Sequence, residues 1–434
     1  MAIIPQISLF DFHEIEVLGD LERFQLALAG IDDEALMRRL EKKRGKGRDE
    51  YPVRVMWNLL IAQRVFGHPR VESLRRELSR NSQLRKICGL NDYDYEHGKR
   101  KHLVPPARVF TGFIKLLGEE QDEVDKIFDG QVSELYELLP GFGETAAGDG
   151  KYLDSYAKKK PKNDQEETDN RTENDAEWSV KEYHYTDANG KPKVKKEYHF
   201  GFKAHIICDV KTELPIAYSV TAANADEKKE MIKIIKNPLL ADETHSKIIK
   251  HMKHLLLDRG YDSTEMIKTL KNSGIIPVID IRNCWKDGEK TKQYQDTDMV
   301  YNYKGEVFYV VLDQDADNGV KYVKMKYEGY DKQKKCLRYS HEGKIHKIYI
   351  SYDERVFLPI ARDSEKFKKM YNGRTAVERL NGRLDRDYMF EDHGIRGLEK
   401  MTLMVSLAMI IMNGMAIGKI KSGKTSLRSL KNAA

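Results

Sequence analysis

The feature that most constrains the fold is a change of residue pattern near Gly148. Before this point, apolar residues recur at the spacing of amphipathic helices. After it, runs rich in β-branched residues, typical of strands, occur at 200–210, 214–221 and 254–257. A chain of 434 residues also exceeds what one hydrophobic core usually organises. We therefore predict a helical N-terminal domain, residues 1–139, followed by a sheet.

The same patterns divide the rest of the chain into three parts. Helical stretches such as 226–240 alternate with strand-like runs, so residues 140–282 are predicted to form a mixed α/β sheet. Short aromatic or β-branched runs separated by Gly, Asp and Asn predict an antiparallel β-rich insertion at 283–362. Helical spacing returns at 364–387, and residues 363–434 are predicted to complete the sheet domain. The expected fold class is multidomain α/β.

The charge balance indicates where nucleic acid could bind. Lys and Arg number 75 against 69 Asp and Glu, so the net charge is only +6 and the basic excess is local. A basic tail at 419–431 and arginines of the N-terminal helices, such as Arg76 and Arg80, could meet DNA phosphates. A helical bundle with an arginine-rich surface explains the N-terminal pattern equally well, and both interpretations stay open.

Other features exclude several classes of protein. The four cysteines lack Cys-x-x-Cys spacing, which argues against a zinc knuckle or a disulfide framework and favours a reducing cytoplasm. No secretory signal is expected at the N-terminus. The apolar stretch 401–417 contains Asn413 and Gly414 and is barely long enough to span a bilayer, so a buried helix and no membrane association are predicted. The polar segment 158–177 is predicted to be a mobile loop.

Three acidic residues occupy positions that suit a catalytic site. Asp149 lies between glycines at the first predicted strand, and Asp258 directly follows an apolar run. Glu378 stands on a predicted helix, where Tyr371 and Arg374 share its face at spacings i, i+3 and i+7. Clustered carboxylates are suitable ligands for Mg²⁺ or Mn²⁺, and Arg374 could bind a phosphate. Taken singly, an Asp after a strand is more often a turn or cap residue.

The set of motifs resembles one family. The DDE insertion-sequence transposases share a first Asp, a second Asp and a Tyr-Arg-Glu signature, which are similar to Asp149-Gly150-Lys151, to residues 257–263 and to Tyr371-x-x-Arg374-x-x-x-Glu378. Other segments similar to this family are 51–89, 201–205, 215–217 and 223–226. The resemblance extends from about residue 50 to residue 418. It is the combination of motifs, in this order, that is specific.

The resemblance implies a fold and a reaction. The sheet domain would be ribonuclease-H-like, with two Mg²⁺ ions, replaceable by Mn²⁺, held by Asp149, Asp258 and Glu378. The protein would cut the ends of a bacterial insertion sequence and join them to target DNA by hydrolysis and transesterification. It would act as a homodimer on double-stranded DNA carrying terminal inverted repeats, in the cytoplasm and associated with the nucleoid.

The resemblance also implies residues that contact DNA. The candidates are Tyr371, Arg374, Lys203, Arg383, Arg386 and Trp285. Trp285 is named because the β-rich block between Asp258 and Glu378 looks like the insertion of some relatives, where a tryptophan stacks on a flipped base.

One position departs from the signature. The family has Lys or Arg seven residues after the Glu, and this chain has Asp385 there. A carboxylate would repel phosphate, so either Arg383 or Arg386 supplies the charge or the contact is missing. Three further acids near predicted strand ends are expected to be structural: Asp209, Asp262 and Asp280.

Two alternatives share much of this pattern. A ribonuclease-H-like nuclease that cuts but never joins DNA would use the same three carboxylates. A captured DNA-binding protein without chemistry would have no need of them, although Asp385 leaves it some room.

Overall fold

The computed structural model describes residues 19–46, 49–159, 173–187, 190–236, 248, 250–314, 319–424 and 426, without the side chain of His184. The first part of the described chain is helical as far as Leu138. Its helices are α1 (Leu21–Ala29), α2 (Glu34–Arg44), α3 (Val53–Val65), α4 (Val71–Arg80), α5 (Ser82–Ile87), α6 (Asp92–Glu96), α7 (Ala107–Gly118) and α8 (Gln121–Leu138). The prediction of a helical N-terminal region is confirmed.

The residue patterns explain how these helices pack. In α3 almost every side chain is buried, and the indole of Trp57 donates to Asp33 Oδ2 at 2.6 Å. By contrast, α4 buries Leu74 and Leu78, which lie four residues apart on one face. Arg76 and Arg80 of the same helix are exposed, as the spacing predicted.

A mixed sheet follows the helices. Its strands are β1 (Thr145–Asp154), β2 (Glu177–Thr186), β3 (Pro192–Asp209), β4 (Pro215–Ala222), β5 (His254–Leu257) and β6 (Ile276–Ile279). β1, β3 and β4 form an antiparallel meander, and β5 and β6 run parallel to β1. The order β4-β3-β1-β5-β6 is the ribonuclease-H-like arrangement expected from the resemblance.

β2 and residues 192–199 of β3 were not expected. They pair as an antiparallel ribbon from Glu177 and Gly201 to Thr186 and Pro192, with side chains exposed on both faces. Because charged and aromatic residues alternate without one apolar face, the ribbon has no strand signature in the sequence. Residues 160–172 of the predicted mobile loop lie outside the described residues, whereas Glu173 is buried and accepts a hydrogen bond from Gly397 N at 2.7 Å.

The helices of the sheet domain agree broadly with the predicted pattern. They are α9 (Glu227–Lys236), α10 (Thr264–Asn272), α11 (Glu365–Tyr371), α12 (Thr375–Arg386) and α13 (Leu398–Lys421). Residues 237–240 of the first predicted helix lie outside the described residues.

The 24-residue helix α13 is apolar enough to cross a membrane, but it is buried in this fold. Two of its polar side chains form hydrogen bonds with the rest of the protein. Asn413 donates to Pro215 O at 3.2 Å, and Ser406 accepts from the hydroxyl of Tyr218 at 2.8 Å. The predicted buried helix is therefore confirmed.

The region between β6 and α11 forms two further antiparallel sheets with their own hydrophobic cluster. The first contains β7 (Lys292–Gln293), β8 (Met299–Tyr301), β9 (Val307–Leu312) and β10 (Val320–Lys324), and the second β11 (Lys326–Asp331), β12 (Cys336–His341) and β13 (Lys344–Tyr349). Arg355 joins this region to the sheet domain through Asp262 at 2.5 Å. The predicted β-rich insertion is present, while the division of the chain into domains at residues 139, 282 and 362 stays a prediction.

Candidate active site

The pairing of β1 with β5 brings two of the predicted acids together. Gly148 lies opposite Leu257 in this parallel pair, so the next residues, Asp149 and Asp258, stand side by side where β5 ends. A Cβ atom at residue 148 would lie 2.8 Å from the side chain of Leu257, which explains the glycine. The sequence prediction that both aspartates emerge at one sheet edge agrees with this register.

The electrostatics of Asp149 are those of a crowded carboxylate. The pKa of Asp149 is raised to about 6, mainly by burial and also by the negative charges of Asp258 and Glu227. The backbone N–H of Gly150 and the charge of Arg374 act in the opposite direction. Like charges this close favour either a retained proton or a bound cation.

Glu227, at the start of α9, is a neighbour that the sequence analysis missed. Lys203, only 3% exposed, lies 2.9 Å from Glu227 and stands 4.4 Å from the ring centre of Tyr152. Lys203 was predicted to contact DNA, and here its charge is balanced inside the protein. The sequence signal for Glu227 was its position directly after the 223–226 segment.

The third predicted acid lies on the helical segment that packs against this edge. Tyr371 ends α11, residues Asn372–Arg374 form a 3-10 turn, and Glu378 lies in the first turn of α12. A Cβ atom at Gly373 would lie 2.9 Å from Val210, so the glycine lets the turn approach the sheet closely.

Arg374 bonds Glu378 at 2.7 Å, as their spacing on one face predicted. Burial lowers the pKa of Arg374, but the charges of Glu378 and Tyr371 more than offset this and raise it. The Glu378 side chain is 48% exposed and so has room to turn.

Two polar contacts hold α12 on β1. Asn381 Nδ2 lies 3.5 Å from Asp149 Oδ2, and Lys151 Nζ lies 2.6 Å from Asp385 Oδ2. The departure at Asp385 is thus compensated, since this carboxylate binds a cation from β1. Neither Asn381 nor Lys151 was singled out from the sequence, although Asn381 stands three residues after Glu378 on the same helical face.

The acidic side chains meet only part of what a divalent cation site requires. Asp149 and Asp258 form a pair of oxygen donors with an unbalanced negative charge, as a cation site requires. Within the described ranges, no group of three or more His, Cys, Asp or Glu side chains is arranged to hold a metal ion. The Glu378 carboxylate is instead paired with Arg374. A change in the Glu378 side chain is therefore needed before all three acids can share an ion.

A hydroxyl group adds to the polar surroundings of the two aspartates. Tyr261 is 1% exposed, and its hydroxyl has no hydrogen-bond partner among the residues that the structure describes. Burial raises the pKa of Tyr261 well above its usual value, and the charges of Asp149, Glu227 and Asp258 act in the same direction. The Tyr261 hydroxyl therefore lies beside the candidate site as a hydrogen-bond donor that has no acceptor among the described residues.

The other predicted DNA contacts lie in different surroundings. The guanidinium of Arg383 binds the carboxylate of Glu213 at 2.8 Å and its backbone oxygen at 2.6 Å, so its observed role is to hold the β3–β4 turn. Arg386 is exposed. Trp285 is half-buried in the insertion, with Lys292 Nζ 4.8 Å from its ring centre.

The acids expected to be structural have structural contacts. Asp209 accepts hydrogen bonds from the backbone of Gly143 and Thr212, and Asp262 binds Arg355. Asp280 accepts from Ile281 N at 2.9 Å.

Comparison with known proteins gives family matches for most of the chain. The model of the family described as Transposase DDE domain matches residues 159–413, and that described as Transposase domain (DUF772) matches residues 21–99. No curated protein matches the chain. A solved structure titled as the cryo-EM structure of the piggyBac transposase synaptic complex with hairpin DNA is 11% identical, with 95% of this chain and 79% of that chain covered and a TM-score of 0.36. A TM-score of this size does not establish a common fold.

Proposed function

Because the chain belongs to the Transposase DDE domain family, it is a DNA transposase, and we propose that it cuts the ends of a bacterial insertion sequence and joins them to target DNA. In the cutting step, the oxygen of a water molecule forms a bond to phosphorus and the bond from phosphorus to the 3′ oxygen breaks. In the joining step, the freed 3′-hydroxyl attacks a phosphorus of the target and displaces its 3′ oxygen. Both steps are displacements at phosphorus, so one site can perform them.

The proposal assigns the acidic residues to one centre. Asp149 and Asp258 would hold the divalent cations, and Glu378, once released from Arg374, would be the third carboxylate. When bound, two Mg²⁺ or Mn²⁺ ions would supply charge stabilisation for the attacking and leaving oxygens. The arginine released by Glu378 is then free to bind a phosphate through two parallel hydrogen bonds.

Further parts of the proposal concern the partner. We expect double-stranded DNA with terminal inverted repeats and target DNA as substrates, a homodimer as the active form, and a location on the bacterial nucleoid. Tyr371 and Arg374, beside the acids, are the best-placed of the predicted DNA contacts, and exposed Arg386 follows them on α12. Arg383, which is held by Glu213, has the weakest support. The role of Trp285 stays a prediction.

The single observation that carries the proposal is the side-by-side position of Asp149 and Asp258, with the helix of Glu378 packed on the strand that bears Asp149. An arrangement of half-buried acids at the end of a β-strand, next to a half-buried arginine, suits a phosphate group and a cation together. It gives a captured DNA-binding protein no advantage, because like charges brought together without a cation only cost stability.

The test is a cleavage and joining assay on DNA that carries both native flanks of the gene. Wild-type protein is compared with Asp149→Asn and Glu378→Gln, with Mg²⁺, with Mn²⁺ and with neither. We expect metal-dependent cutting and joining that both substitutions abolish while DNA binding persists. Cutting without joining would support the nuclease, and binding without either reaction would support the captured DNA-binding protein.

A further inference from the structure

The carboxamide of Asn381 lies between α12 and Asp149. Its nitrogen is 3.5 Å from Asp149 Oδ2, while its oxygen is buried without a hydrogen-bond partner among the described residues. A buried polar atom without a partner destabilises the fold. At the edge of a reaction centre, such an atom points to a partner that arrives with the ligands of that centre.

The surroundings of that oxygen select the kind of partner. Asp149, which the nitrogen of the same carboxamide faces, is a carboxylate that also feels the negative charges of Asp258 and Glu227. Carboxylate and carboxamide oxygens are all acceptors, so none can satisfy another. A cation satisfies several acceptors at once, and amide oxygens are among the hard ligands that Mg²⁺, Mn²⁺ and Ca²⁺ accept.

Two contacts between α12 and β1 fix the position of Asn381. Asn381 and Asp385 are four residues apart on α12, which is about 6 Å along a helix axis. Their partners Asp149 and Lys151 are two residues apart on β1, which is about 6.6 Å along a strand. The two spacings match, so both contacts form together and hold Asn381 over Asp149. Glu378 precedes Asn381 by three residues on the same face.

We infer that Asn381 is a further member of the cation site, and that its carboxamide oxygen binds the divalent cation held by Asp149. This inference rests on the proposed function. As an uncharged oxygen donor, Asn381 adds a ligand without adding to the negative charge of Asp149 and Asp258. It also links the metal centre to α12, whose register sets the position of Glu378.

The test measures Mn²⁺ binding to the full chain without DNA, by electron paramagnetic resonance of the free ion. We expect Asn381→Ala to weaken binding by about ten-fold, the lower end of what loss of a supporting group in a metal site costs. Asn381→Asp should bind Mn²⁺ at least as tightly as the wild type, since a carboxylate oxygen replaces the carboxamide oxygen. Asn272→Ala, which changes an exposed asparagine at the end of α10, is the matched control and should have no effect.

The outcomes separate the inference from the proposed function. Unchanged Mn²⁺ binding in folded Asn381→Ala would overturn the inference. If Asn381→Asp weakens Mn²⁺ binding as much as Asn381→Ala does, the inference is also wrong. That result would show that the N–H donor of Asn381 matters and not its oxygen. If Asn381→Ala does not fold, Asn381→Ser is used for the same comparison. Mn²⁺ binding that Asp149→Asn leaves intact would contradict the proposed function itself.

Discussion

The ammonium group of Lys151 lies 2.6 Å from each carboxylate oxygen of Asp385, and both side chains are largely buried. Lys151 belongs to β1, two residues beyond Asp149, and Asp385 belongs to the helix that carries Glu378. The pair therefore joins the two elements that bear these acids. It also neutralises the carboxylate at the position where the resemblance led us to expect a basic residue.

Breaking this pair should cost stability. We expect Lys151→Ala to lower the free energy of unfolding by about 2 kcal/mol, because a mostly buried carboxylate loses its partner. The exchanged double variant, Lys151→Asp with Asp385→Lys, should recover more than half of that loss. Denaturant unfolding measures both values. Lys421→Ala removes the more exposed ion pair with Glu134 and should cost about 0–1 kcal/mol. No recovery in the exchanged variant would contradict this account.

The sequence indicated three candidate acids but not the residues that support them. Asp149, Asp258 and Glu378 were chosen because each sits at a recognisable place, after an apolar run, between glycines or on one face of a helix. The contacts of Asn381, Lys151 and Glu227 were not predicted, because they depend on which elements pack together. Periodicity within one element carries no information on that point.

The fold shows the same division. The meander, β5, β6 and α13 were predictable from the sequence. Their runs either repeat apolar residues at one regular spacing or consist almost entirely of apolar residues. The ribbon of β2 and β3 was missed because both of its faces are exposed, so no apolar alternation marks it. Backbone pairing is its main regular feature, and backbone hydrogen bonds are the same for every sequence.

The contact between Arg374 and Glu378 should compete with cation binding. Without DNA, we expect Arg374→Ala to bind Mn²⁺ up to about five-fold more tightly, the effect of removing a contact worth 0–1 kcal/mol. The same variant should cut DNA more slowly, since the phosphate loses its arginine. Mn²⁺ titration and the cleavage assay give the two values. Arg386→Ala, which removes an exposed arginine from the same helix, should leave Mn²⁺ binding unchanged. Weaker binding in Arg374→Ala would contradict the competition.

Tyr261→Phe should separate stability from activity. Because the buried hydroxyl has no partner in the described structure, its removal should raise the free energy of unfolding, by about 1–3 kcal/mol. Cleavage should fall by about ten-fold if the hydroxyl donates to a substrate phosphate, since such a bond contributes about 1.5 kcal/mol or more. Tyr218→Phe is the control, because its hydroxyl bonds Ser406 at 2.8 Å and its loss should lower stability instead. Unchanged cleavage in Tyr261→Phe would exclude a role for the hydroxyl in the reaction.

His205 should make stability depend on pH. Burial lowers the pKa of His205 to about 4, and the charges of Lys203 and Lys233 contribute. The unfolded chain takes up a proton near pH 6.5, whereas the folded protein resists it until about pH 4. The contribution is therefore present above pH 6.5 and is lost as the pH falls through this window, by roughly 3 kcal/mol at most.

The measurement compares the free energy of unfolding of the wild type and His205→Gln between pH 7 and pH 4. Glutamine cannot take the proton, so the variant should lose less stability on acidification than the wild type does. Subtracting the two curves cancels the groups that they share. Parallel curves would show that His205 titrates at the same pH in both states.

The most direct test of the central claim is replacement of the two aspartates by cysteine, with cleavage of the gene's flanking DNA measured in Mg²⁺ and in Mn²⁺. Manganese accepts sulfur ligands better than magnesium does. If Asp149 and Asp258 hold the ions, Asp149→Cys and Asp258→Cys should be inactive with Mg²⁺ and should regain cleavage with Mn²⁺, while Asp298→Cys in the insertion should cut with either metal. Cleavage in Mg²⁺ at the wild-type rate by either aspartate variant, or no recovery in Mn²⁺ by a variant that folds, would contradict the claim.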